Sequence, residues 1–83
     1  MKAVQFKQHE IETFMKYLAS HQDARREMLV ACGLSLVDIL EDEIGETAEA
    51  LAVPASETIF ERRPDLVRTW LANNPYHDNA SRK

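Results

Sequence analysis

The chain has 83 residues, of which 45% are hydrophobic and 29% are charged, and its formal net charge at pH 7 is −4. These proportions are those of an ordinary globular protein and exclude a disordered chain, and the length suits one domain. The single cysteine, Cys32, excludes an intramolecular disulfide, and the two glycines exclude nucleotide binding through a glycine-rich phosphate loop.

The surroundings of Cys32 and the start of the chain both indicate an intracellular protein. Val30, Ala31 and Leu34 flank the thiol, which predicts a buried side chain that acts as a small hydrophobe in a reducing, cytoplasmic setting. The N-terminus has no apolar stretch of signal-peptide length behind its first lysine. The longest uncharged run in the first half, residues 28–37, is about half of the ~20 residues that a membrane-spanning helix needs. We therefore expect a protein that is neither secreted nor embedded in a membrane.

The first predicted element is an amphipathic helix from about Gln8 to Ser20. Its apolar side chains recur at the i, i+3, i+4, i+7 spacing of a buried stripe. They are Ile11, Phe14, Met15 and Leu18.

The second and third predicted helices meet at Gly33. Asp23 is the expected N-cap of the second, and Gly33 is placed to end it. Its expected apolar positions are Ala24, Met28, Ala31 and Cys32. Ser35 followed by Asp38 resembles a capping box that opens the third helix. Its expected inward residues are Leu36, Ile39, Leu40 and Ile44. The alternative is one long helix through Gly33, at a cost of about 1 kcal/mol relative to alanine.

The second half of the chain predicts three shorter helical segments. Glu46 to Ala52 is alanine-rich, and Pro54 is expected to stop it. Ser56 then caps a short segment that carries Ile59 and Phe60. Proline in a first turn predicts a last helix from Pro64 to about Ala72, which the sequence from Asn73 to Pro75 ends. The expected apolar face of this helix is Leu66, Val67, Trp70 and Leu71.

No strand pattern is found along the chain, so the fold class is all-α, a compact orthogonal bundle of four to six short helices. The domain should cover residues 1–75, and the tail, residues 76–83, has no apolar periodicity and is expected to be flexible. A core this small gains from self-association, so we expect a homodimer. The candidate dimer contacts are Phe14, Tyr17, Leu66, Val67, Trp70 and Leu71.

Charge is distributed unevenly along the sequence. Between Arg26 and Arg62 there are nine acidic residues and no lysine or arginine. Four of the acids have spacings of four, four and three, which predicts one side of a helix opposite the apolar residues of the third helix. The candidate acidic face is Asp38, Glu41, Asp42, Glu46 and Glu49. Such a face is either a solvated helix surface or a docking surface for a basic partner.

A helix-turn-helix that binds DNA is the alternative interpretation. In residues 28–44 the segment 32–35 resembles its turn, but the reading helix would present acids to phosphates. In residues 47–63 the segment 54–56 resembles the turn, although it is one residue too long and Pro64 would shorten the reading helix. The arginines that could contact phosphates are Arg62, Arg63 and Arg68.

No group of residues supports catalysis or metal binding. His9, His21 and His77 are far apart in sequence, and Cys32 has no nearby histidine to act as a base. We therefore expect no enzyme activity, no cofactor and no metal. The function predicted first is a small acidic binding protein, a regulator or inhibitor acting through protein–protein interaction with a basic partner. A helix-turn-helix transcriptional regulator is the alternative.

Overall fold

A computed structural model describes residues 6–73, which form five α-helices and no strand. In chain order the helices are α1 (Gln8–Ser20), α2 (Gln22–Ala31), α3 (Leu36–Asp42), α4 (Ala48–Arg62) and α5 (Pro64–Asn73). This confirms the all-α class. The predicted tail, residues 76–83, and the end of the predicted domain at residue 75 lie outside the described residues.

The longest helix, α4, is the centre of the bundle. Helix α1 packs along it, and α2 and α5 also pack against it, whereas α3 packs chiefly against α2. Nine apolar side chains from all five helices form the core, and each of them is almost wholly removed from water. They are Phe14, Leu18, Leu29, Ile39, Ala52, Ala55, Ile59, Val67 and Leu71.

A chain of aromatic contacts joins α1, α4 and α5. The ring of Phe14 contacts the rings of Phe60 and Trp70 edge-on, with centroids 5.4 Å and 5.2 Å away. Trp70 in turn lies 4.8 Å from Tyr17, which stacks on His21. Edge-to-face pairs of this kind stabilise a core beyond the area they bury, so Trp70 anchors α5 to α1.

The predicted helix boundaries are confirmed at three places, namely α1, the end of α2 and the start of α3. Helix α1 spans the predicted range. Gly33 ends α2 with a φ of +102°, and the amides of Gly33 and Leu34 donate to the carbonyls of Val30 and Leu29, which is a Schellman motif. The Ser35 hydroxyl accepts from the amide of Val37 over 3.2 Å and caps α3. The predicted break at Gly33 is therefore confirmed, and the alternative of one long helix is wrong.

Helix α2 differs in detail from its prediction. It begins at Gln22, so Asp23 lies in its first turn and is not the N-cap. The buried residues of the helix are Arg25 and Leu29. The buried face of α2 therefore lies one residue after the predicted positions Ala24 and Met28. It includes the charged side chain of Arg25, which an apolar pattern does not predict.

Helix α4 is continuous where two segments were predicted. It runs through Pro54, and Thr47 caps its start by accepting from the amide of Ala50 over 3.1 Å. Ser56 is not an N-cap; it is buried in the helix, and its hydroxyl donates to the carbonyl of Val53 over 2.8 Å. Burial of Ala52 and Ile59 on either side of the proline outweighs the one helical hydrogen bond that the proline removes.

Candidate functional site

Helix α3 exposes most of its apolar side chains. Ile39 faces the core and is 3% exposed, but Leu36, Val37 and Leu40 are 50%, 64% and 41% exposed, and Ile44, just beyond the helix, is 77% exposed. Successive residues turn by about 100°, so Leu36, Leu40 and Val37 form a continuous apolar sector beside Ile39. The prediction that Leu36, Leu40 and Ile44 point inward is wrong, because no other helix in residues 6–73 covers these side chains, and Leu36 and Leu40 line an open groove beside α2.

All five residues of the candidate acidic face are exposed. They do not share one helix as predicted, since α3 ends at Asp42 and Gly45, with a φ of +80°, turns the chain before α4 begins. Asp38, Glu41 and Asp42 lie on α3, Glu46 lies in the connection, and Glu49 lies in the first turn of α4. The acids occupy the sector of α3 that its apolar residues leave free.

Glu43 is the exception among the central acids, because it turns towards α2. Its carboxylate accepts from Nη2 of Arg25 over 2.9 Å and from Nε of Arg26 over 3.0 Å. A second contact joins Nη2 of Arg26 to its other oxygen. The side chain is 11% exposed. Hydrogen bonds from Arg26 and then Arg25 lower the pKa of Glu43 from 4.5 to about 2, against the opposing effect of burial.

Arg25 is a buried charge at a position that was not among the predicted apolar positions of the second helix. Its side chain is 2% exposed, and its guanidinium also donates to the carbonyl of Leu18 over 3.2 Å. No buried side-chain nitrogen or oxygen in residues 6–73 lacks a partner. The available signal was its spacing, four residues before Leu29 and seven before Cys32, which places it on the buried stripe of α2. This cluster ties the end of α3 to α2.

Two concave regions flank α3. A cleft of about 130 Å³ separates α3 from α4 and is lined mainly by apolar side chains, with Asp42 and Glu43 at its edge. An open groove of about 460 Å³ lies between α2 and α3. The residues that line the groove are Asp23, Arg26, Glu27, Val30, Leu36 and Leu40.

The arginines of the DNA-binding alternative have intramolecular partners. Nη1 of Arg62 donates to the carbonyl of Cys32, and Nη1 of Arg63 donates to that of Ala31, both over 3.2 Å. Arg63 also pairs with Asp65, and the guanidinium of Arg68 lies 5.6 Å from the ring centroid of Phe6. Two of the three thus bind the C-terminal carbonyls of α2, where a positive charge is favourable.

The helix boundaries agree with only the first of the two predicted DNA-reading segments, and the charge of that segment opposes DNA. The turn predicted at residues 54–56 is wrong, because these residues are helical. A turn does lie between α2 and α3, but the helix after it has exposed acids at Asp38, Glu41 and Asp42.

Three of the six candidate dimer contacts are buried within the chain. Phe14, Val67 and Leu71 are at most 5% exposed, so they are core residues and cannot meet a partner without rearrangement. Tyr17, Leu66 and Trp70 are half-buried and keep some surface. The homodimer therefore stays a prediction that rests on these three.

Histidine and cysteine do not form a reactive group in residues 6–73. His9 and His21 are exposed on or beside α1, and His77 lies outside the described residues. Cys32 is only partly buried, packs against the core, and has its pKa raised by desolvation, against the lowering effect of Arg63 and Arg62. Within the described range, no three histidine, cysteine or acidic side chains are grouped so as to hold a metal ion.

Comparison with known proteins gives no relative: no family model, no curated protein and no solved structure matches the chain. Among the helices described for residues 6–73, none has the length and apolar character needed to cross a membrane.

Proposed function

We propose that this chain is a small cytoplasmic regulator or inhibitor that acts by binding a protein with a basic surface. One observation carries the proposal: α3 presents an apolar sector and an acidic sector to solvent side by side. Leu36, Val37 and Leu40 form the first. Asp38, Glu41 and Asp42 form the second, and the remaining two residues of the predicted acidic face, Glu46 and Glu49, follow α3 in the chain.

The apolar sector supports a docking role because its exposure is unfavourable in the isolated chain. Contiguous apolar surface rimmed by charge typically marks a site where another protein binds. Of the six large hydrophobic side chains that are exposed in the described part, five lie on α2, on α3 or just after α3. A partner that covers them gains the hydrophobic free energy that intramolecular packing leaves unused.

The acidic sector supports a basic partner. Complementary charges steer encounter and suppress wrong partners, while the apolar contact holds the complex. No lysine or arginine lies between Arg26 and Arg62 to offset these acids, and the two arginines of the adjacent helix α2, Arg25 and Arg26, are already paired with Glu43. The same acids oppose a phosphate backbone, so no observation favours DNA as the ligand.

Affinity capture from native cells tests the proposal with a charge-reversed variant. The variant Asp38→Lys, Asp42→Lys, Glu46→Lys reverses the acidic face at positions that are all exposed. We expect it to lose partners that the unchanged chain retains, and we expect each purified partner to bind the unchanged chain more weakly as salt is raised.

The matched control reverses three exposed acids elsewhere, Glu12→Lys, Glu57→Lys and Glu61→Lys, so that net charge changes equally. Equal loss of partners in both variants would show an effect of net charge alone. Retention of every partner by the variant of the acidic face would contradict the proposal.

A further inference from the structure

We infer that the groove between α2 and α3 receives an amphipathic helical segment of the partner, with its apolar side chains against Val30, Leu36 and Leu40 and its lysines or arginines beside Asp23 and Glu27. The inference rests on the proposed function and names the partner's binding element. The α3 residues that line this groove, Leu36 and Leu40, belong to the apolar sector and not to the acidic sector.

The groove has the form that a helix requires. Its α2 wall has the lining residues 23, 26, 27 and 30, which is the i, i+3, i+4, i+7 stripe of one helix face. Its α3 wall consists of Leu36 and Leu40, one turn apart. Two helix walls with an apolar end form the type of surface into which an amphipathic helix places side chains at the same spacing.

The charge of the groove selects a basic occupant. Arg26 is the one cation among its lining residues, and it binds Glu43 through contacts at Nε and Nη2, a carboxylate that it shares with Arg25. Asp23 and Glu27 are exposed, and Arg26, which interacts with Asp23, is the cation beside them in the groove. The lining of the groove therefore has two carboxylates against one guanidinium, a net negative charge at its α2 edge.

The same charge argues against two other occupants. A second copy that docked through this face would place two surfaces of the same net charge against each other, which is unfavourable. An anionic lipid surface attracts basic and not acidic groups. A helix with leucines on one face and lysines on the other, and without acidic residues, complements both the apolar residues and the carboxylates of the groove.

The test uses a synthetic peptide of about 15 residues with leucines on one helical face and lysines on the other, titrated into the full chain and followed by amide chemical shifts. A peptide with glutamate for lysine and one with alanine for leucine are its matched controls. We expect the Leu–Lys peptide to shift the amides of residues 23–30 and 36–44, and we expect both controls to bind at least about tenfold more weakly.

Variants of the chain then locate the site. Leu36→Ser with Leu40→Ser removes the apolar wall, and Glu27→Lys reverses one rim charge without touching a core residue. Each should weaken binding of the Leu–Lys peptide by about tenfold. Val53→Ser and Glu57→Lys are the matched controls, since both side chains are exposed on α4 away from the groove, and they should leave binding unchanged.

Three results would overturn the inference: shifts confined to other helices, equal binding by the groove variants, or no binding at about 1 mM peptide. Equal binding of the alanine–lysine peptide would also overturn it, because the apolar wall would then contribute nothing. In each case the charge-reversal capture still reports on the proposed function by itself, so the two failures are distinguishable.

Discussion

The guanidinium of Arg25, 2% exposed on α2, donates a hydrogen bond over 2.9 Å to the carboxylate of Glu43 at the end of α3. Helix α3 has seven residues and buries only Ile39, so apolar packing alone holds it weakly. The ion pair therefore determines where the apolar and acidic sectors of α3 lie relative to α2. It links the stability of the fold to the shape of the groove.

Removal of the Glu43 carboxylate should destabilise the chain strongly. Glu43→Ala leaves Arg25 as a buried charge without its anion, and breaking such a pair on one side costs about 3 kcal/mol. Glu43→Gln retains an oxygen that can accept a hydrogen bond, so its cost should be smaller. Urea unfolding followed by Trp70 fluorescence measures both.

The control for these variants is Glu41→Ala, also on α3 but exposed. It should shift the urea midpoint little. Equal midpoints for Glu43→Ala and Glu41→Ala would show that the buried pair contributes nothing.

Stability should fall with acidification in the range set by Glu43. Its pKa is about 2 in the folded chain against an ordinary 4.5, so the folded state binds fewer protons than the unfolded state between these values. The contribution of Glu43 is complete above about pH 4.5 and is lost as the pH falls towards 2. Unfolding free energies measured from pH 6 to about pH 2 should show this decline.

Glu43→Gln should flatten that decline, since the group that titrates is gone. Asp65→Asn is the comparison. The pKa of Asp65 is also lowered, chiefly by its hydrogen bond from Arg63, but the pair is exposed and solvent screens it. An equally steep acid loss in the Glu43→Gln variant would assign the decline to other carboxylates.

Helices with a strong apolar period were predictable, and those governed by tertiary contacts were not. Helix α1 has the predicted bounds, and α5 begins at Pro64, because each has apolar residues at helical spacing and α5 also has a proline in its first turn. In α4 the local signal of Pro54 favoured a stop, but burial of residues on both sides of it outweighs that signal. No sequence rule reports such burial in advance.

The site divides in the same way. Exposure of the five acidic-face residues agrees with the sequence, since unpaired carboxylates rarely enter a core. Their spread over α3, the connection and α4 depended on where α3 ends. The burial of Arg25 and the exposure of Leu36 and Leu40 reverse the usual preference of each residue type, so residue type alone predicts neither of them.

Pro54→Ala should stabilise the chain. Proline has no amide hydrogen, so the carbonyl of Ala50 lacks its helical donor, and alanine restores that bond in the middle of α4. Proline in a helix interior is about 3 kcal/mol less favourable than alanine, but here the native packing already accommodates it. We expect a gain of about 1 kcal/mol in thermal or urea unfolding.

Val53→Ala is the control for this gain, because it is the exposed neighbouring position and its amide is already available to the helix. It should leave stability nearly unchanged. A loss of stability in Pro54→Ala would mean that the proline ring contributes more through its place in the cleft beside α3 than it costs the helix.

The arginines before α5 should prove structural. Arg62→Gln with Arg63→Gln removes the charges that bind the last carbonyls of α2, so the urea midpoint should fall, by less than in Glu43→Ala because both side chains are accessible to solvent. Fluorescence anisotropy with duplex DNA at low salt is the second measurement. We expect no salt-dependent binding by the unchanged chain; binding that the double variant abolishes would restore the DNA-reading alternative.

Trp70→Ala separates core packing from a dimer contact. The indole lies 5.2 Å from the ring of Phe14 and 4.8 Å from that of Tyr17, so truncation should cost about 2 kcal/mol within one chain. Contacts inside a chain stabilise it at any concentration, whereas dimer contacts stabilise it more as concentration rises. Unfolding of the variant and of the unchanged chain, followed by circular dichroism in dilute solution, should show this difference in stability. If the difference grows when the protein concentration is raised about a hundredfold, the increase measures the contribution of a dimer.

The matched control is Thr69→Ala, which changes an exposed residue on the same helix. If Trp70→Ala is as stable as Thr69→Ala in dilute solution, the indole is assigned to an interface instead.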